Sequence, residues 1–270
     1  MIEKREESPR RMRRPPRWLW FALPVVLVVA IAGTVAAAVL HHPGEPVPVA
    51  TVVARYRQGT GGDAGGVYVY DTTGSEGVDG LPGGSHGYPT RTTMTVTPAA
   101  GDCLDVRWDA LAQRWDDEEL CPAAGGGWTR PRTTEFHSFF GQDETRTSTC
   151  TGTDVVPPPD PGAGAATWTC DSPGTGRSGP SHEDGRRNVV GEGHVTVAGT
   201  TRAALHVRYT TTVSGDTTGG GTVDRWYSLD RYPLLLREII HETDRSHTVI
   251  GTVHYHEDVA LTLAAWEPLR

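Results

Sequence analysis

The chain has 270 residues, four cysteines and a formal net charge of −8. Residues 1–17 hold seven basic and three acidic groups, a net of +4, so the remainder carries −12. An acidic body of this kind excludes nucleic-acid binding, which depends on Lys and Arg neutralising phosphates.

The first predicted element is an uncharged apolar block over 18–40, preceded by Lys4, Arg5, Arg10, Arg11, Arg13, Arg14 and Arg17. A helix needs about 20 apolar residues to cross a bilayer core, and a signal-peptide core runs only about 7–15. The block therefore reads as a retained single-pass anchor, with Trp18, Trp20 and Phe21 at the interface. The positive-inside rule puts 1–17 in the cytoplasm and everything after residue 40 outside, at the cell membrane.

Residues 41–65 read as a linker, opening on a proline-rich spacer. Within it the stretch 48–56 fits a short helix or a first strand equally well. From 66 to 270 the pattern is that of one extracytoplasmic β domain. Val67–Tyr70 is a short strand candidate followed by a glycine- and serine-bearing loop as far as Pro89. Residues 92–97 are threonine-rich, and 103–108 alternate strictly, with Leu104, Val106 and Trp108 on one face. Residues 114–121 pair back as a hairpin, and 128–149 supply two more strands around Gly141. Further strands are expected over 194–197, 203–213, 222–229, 234–242 and 248–263, with 213–222 as a turn. In the last of these Val249, Val253, Tyr255, Val259, Leu261 and Leu263 share a face. The expected fold is all-β: an antiparallel meander of roughly nine to eleven strands, curved into a half-barrel or barrel to protect its edges.

All four cysteines follow the apolar block, and their number is even. Pairing Cys103 with Cys121 and Cys150 with Cys170 closes two short loops, each adding about 3 kcal/mol in the chain-entropy model. No C-x-x-C or cysteine–histidine cluster has zinc-finger spacing, and no metal or other cofactor is expected. Nucleophile motifs such as G-x-S-x-G and H-E-x-x-H are absent, so the domain is read as non-catalytic. Asp116-Asp117-Glu118-Glu119 reads as a solvated hairpin end, since strand neighbours point in different directions. His254 and His256 project to one side of the last strand and offer the one metal-dependent alternative.

Residues 221–238, with Trp226, Pro233 and Arg237, resemble a recurring piece of half-barrel lipoprotein and lipid-carrier proteins of the bacterial envelope, including mycobacterial lipid-binding lipoproteins. The hairpins before it extend the resemblance over 191–266. The whole chain is similar to single-anchor secreted β proteins of actinobacteria. These resemblances imply a cell-envelope protein binding an apolar or envelope ligand on a curved sheet. Trp226, Leu234, Leu236, Val253, Tyr255 and Leu261 are the expected cavity lining, in a cavity above about 300 Å³. The alternative of another class is a structural or protein-interaction module docking an envelope protein.

Overall fold

The computed structural model describes residues 44–60, 65–79, 84–139, 141–152, 155–174, 179–248 and 251–270. The expected anchor and basic tail lie outside the described residues. Among those described, no helix is long and apolar enough to cross a membrane.

The ambiguous segment near residue 50 is a helix, α1 (Val49–Thr60). Pro48 precedes it, a position where a missing N–H costs nothing, and its carbonyl accepts from the Thr51 amide at 2.9 Å. Val52 and Tyr56 bury one stripe of the helix against Val67.

Thirteen strands follow: β1 (Gly66–Val78), β2 (Ser85–Gly87), β3 (Arg91–Pro98), β4 (Leu104–Leu111), β5 (Arg114–Pro122), β6 (Trp128–Phe139), β7 (Gln142–Gly152), β8 (Ala166–Ser172), β9 (Ser181–Val197), β10 (Thr200–Gly215), β11 (Thr217–Ser228), β12 (Leu235–Thr248) and β13 (Gly251–Leu263). From β3 onward each strand pairs antiparallel with its neighbour in the chain, and β13 returns to pair with β1 from Tyr70↔Leu263 to Val78↔Tyr255. The result is a closed barrel of twelve strands, with β2 covering the far half of β1 that β3 leaves free. Closure removes the edges that a half-barrel would have to protect.

Two stretches expected as loops are strand. Residues 71–78 continue β1, because Gly74 (φ +125°) lets the backbone of β13 come close: a Cβ there would stand 2.0 Å from the Asp258 carbonyl oxygen. Gly219–Gly221 lies inside β11 rather than in a turn. A Cβ at Gly221 would meet the His241 carbonyl oxygen at 2.3 Å, so bare backbone lets β12 pack alongside.

Both disulfides form as the spacing predicts, Cys103–Cys121 across β4 and β5 and Cys150–Cys170 across β7 and β8. The inward rows supply a core in which Tyr70, Leu205, Leu236, Leu261 and Leu263 are at most 1% exposed. Each such leucine contributes about 1.5–3 kcal/mol on burial. The outward rows are charged and paired across strands: Arg208 with Asp224 at 3.0 Å, His241 with Asp258 at 2.6 Å, Arg132 with Glu119 at 3.3 Å. Among the described residues these outward rows are polar and charged, without a continuous apolar band.

Candidate functional site

Among the described residues, the barrel interior holds an apolar and a polar chamber. One end is closed by two inturned segments. Residues 229–234, between β11 and β12, bring Arg231, Tyr232, Pro233 and Leu234 over the opening. Residues 155–157 bring Val155 and Val156 inside, 3% and 0% exposed, and the Tyr232 hydroxyl donates to the Pro157 carbonyl. Beneath residues 231–235 lies an apolar chamber of about 180 Å³, walled by Tyr68, Tyr70, Met94, Val96, Leu104, Val106, Leu120 and Tyr227. The Cys103–Cys121 bond ties β4 to β5 beside Leu104 and Leu120, holding that wall together.

The floor of the apolar chamber is an ion-pair network. Arg225 lies 3.2 Å from Glu118 and 2.5 Å from Glu238, and Arg130 lies 3.0 Å from Glu118 and 3.3 Å from Glu183. Burial works to raise the Glu118 carboxyl, but Arg225 and Arg130 win and hold it at about 2. Glu238 goes the other way: burial raises it more than Arg225 lowers it.

Past this network lies a polar chamber of about 130 Å³, with Trp108, Trp168 and Tyr209 among its walls and Asp116, Glu135 and Glu242 facing it. Arg114 pairs with Asp116 and stands 3.3 Å from Glu257. Burial, with Glu135 adding to it, nevertheless lifts Asp116 to about 7. Asp244 is raised to about 6, by burial first and then by Glu135. Burial and the Asp244 charge push Glu242 well above the usual carboxylate range.

Toward the opposite end, Glu76 is fully buried and gathers three donors. His86 Nδ1 and His137 Nδ1 each lie 3.2 Å from its oxygens, and the Tyr255 hydroxyl donates at 3.1 Å. Against the opposing effect of burial, the hydrogen bonds from His137 and His86 bring Glu76 down to about 2.

The expected lining residues scatter across this arrangement. Leu234 lines the apolar chamber. Leu236 and Leu261 are wholly buried members of the core. Tyr255 belongs to the Glu76 cluster, and Val253 is half-buried earlier on the same strand. Trp226 stands on the outer side of β11, opposite Arg225 and Tyr227, stacked on His206 at 4.2 Å. Residues 116–119 lie within β5 and are not a solvated hairpin end. Alternation along β5 sends Asp116 and Glu118 inward with Arg114, while Asp117 and Glu119 face out.

His254 and His256 lie on the outward row of β13, His256 3.3 Å from Asp79. Among the described residues, the one group of three potential ligands close enough to share a metal is Cys103, Glu119 and Cys121. Its sulfurs are bonded to each other, so it does not fit a metal. A separate concavity of about 770 Å³ lies on the outside, over β7–β10, lined by Thr151, Thr169, Asp184, Arg186, Thr210 and Thr212. It is open and polar. Comparisons with family models, curated proteins and solved structures find no match.

Proposed function

We propose that the protein is a membrane-tethered, extracytoplasmic binding protein of the cell envelope, non-catalytic, whose barrel receives a small apolar group. The observation that carries this reading is the apolar chamber under residues 231–235. An apolar cavity of about 150 Å³ stays dry and takes up benzene, so a 180 Å³ chamber suits a ring or a short chain end. Both interior chambers fall below the cavity of about 300 Å³ expected from the sequence, so the ligand is smaller than the carrier resemblance implies. Two disulfides support a body working outside the cytoplasm.

The test is titration of full-length protein in lipid nanodiscs with toluene, followed by methyl NMR of Met94 and Leu234. Saturable shifts at both residues are expected. Shifts that grow linearly with toluene, or none, would sink the reading. Protease added to intact cells tests the address: the barrel is cut or shed if it faces outward.

A further inference from the structure

The rim of the apolar chamber carries more chemistry than an apolar ligand needs. Tyr68 lines the chamber and is 9% exposed, yet its hydroxyl has no hydrogen-bond partner among the described residues. A hydroxyl with no protein partner is free to donate to a ligand. The strongest charge acting on it is the guanidinium of Arg231, with Arg270 next. Arg231 itself lines the chamber and donates to the Trp266 carbonyl at 2.9 Å and to Glu267 at 3.2 Å. The Glu267 partner is 73% exposed, and such surface pairs are weak enough to yield to a better anion.

Deeper polar groups are already satisfied. Tyr70 donates to the Leu235 carbonyl at 2.8 Å, Tyr227 and Tyr209 share a hydrogen bond at 3.0 Å, and Arg225 is held between Glu118 and Glu238. A ligand entering this chamber must therefore bury an end that asks for no hydrogen bond. Its polar end meets an unused hydroxyl donor and a guanidinium. The walls are rich in rings, with Tyr68, Tyr70, Tyr227 and Tyr232 around the space, and aromatic pairs gain beyond their buried area.

We propose that the chamber recognises a small arene monocarboxylate, ring inward, its carboxylate accepting from the Tyr68 hydroxyl and the Arg231 guanidinium. This rests on the reading above that the chamber takes an apolar group, and it adds the ligand's charge, orientation and ring.

The experiment is calorimetric titration of full-length protein in nanodiscs with benzoate and with benzyl alcohol, in wild type, Tyr68→Phe and Arg231→Gln. Benzoate is expected to bind at least about tenfold tighter than the alcohol, as a charge-assisted hydrogen bond allows. Each variant should lose about tenfold on benzoate and keep its affinity for benzyl alcohol, which also reports an intact chamber. Benzyl alcohol binding as tightly as benzoate overturns the carboxylate assignment while leaving the apolar chamber standing. No binding of either compound overturns both.

Discussion

Arg225 on β11 reaches Glu118 on β5 at 3.2 Å, although the two strands stand half a circuit apart in the barrel. Opposite walls therefore touch through their side chains, and the barrel is flattened. Twelve strands would otherwise enclose more space than side chains fill. The pair also marks the division between the apolar and the polar chamber, lining both.

Removing one partner of such a pair leaves the other charge buried. Glu118→Gln is expected to lower unfolding free energy by about 3 kcal/mol, read as a shift in the urea midpoint. Arg208→Gln, on the outer face, should leave the midpoint at its wild-type value.

Stability should depend on pH in two directions. Asp116, near 7, and Asp244, near 6, bind protons more tightly folded than unfolded. Their contribution is greatest at low pH and is lost as pH rises through those values. Glu76 and Glu118, near 2, stabilise above the ordinary carboxylate range, and that stability fades as pH falls toward 2. The melting temperature is expected to rise from pH 8 to about 5 and to fall below about 4. Asp116→Asn should flatten the limb between pH 5 and 8; a melting temperature that climbs with pH across it would contradict the assignment.

The two disulfides should separate in function. Replacing either pair by serine is expected to cost about 3 kcal/mol. Only loss of Cys103–Cys121, beside Leu104 and Leu120, should also weaken toluene binding. Calorimetry on both double variants tests the difference.

Gly74→Val should disrupt barrel closure, because no side chain fits against the Asp258 carbonyl. Amide exchange along 72–77 and 257–261 is expected to become fast in this variant, while β9 and β10 stay protected.

Much of the architecture is written in strand-period alternation. The rows Leu104-Val106-Trp108 and Val259-Leu261-Leu263 point to the core as their pattern implies, and the cysteine spacing delivers both bridges. The interior charges leave no trace in a hydrophobicity pattern. Arg114, Asp116 and Glu118 alternate as regularly as any apolar row, and Glu257 sits on the same face as Tyr255 and Val259. Their partners, Arg225 and Arg130, arrive from strands far away in the chain, and no local pattern announces them. Trp226 departs from expectation for a related reason: an aromatic on a strand suggests a core, but here a histidine and Arg237 cover its faces outside. The strand character of 71–78 was hidden by its glycines, which look like loop punctuation until a neighbouring backbone explains them.

The β1–β13 seam sets the order in which the molecule can be finished. Every other junction of the ring joins strands adjacent in sequence, apart from the short β2 flap, and can zip locally as chain emerges. The first strand must wait, one edge bare, until the last is delivered nearly two hundred residues later. A chain synthesised N-terminus first thus stays an open ribbon until β13 is made, and truncation anywhere within 251–263 leaves two sticky margins where a native cylinder has none.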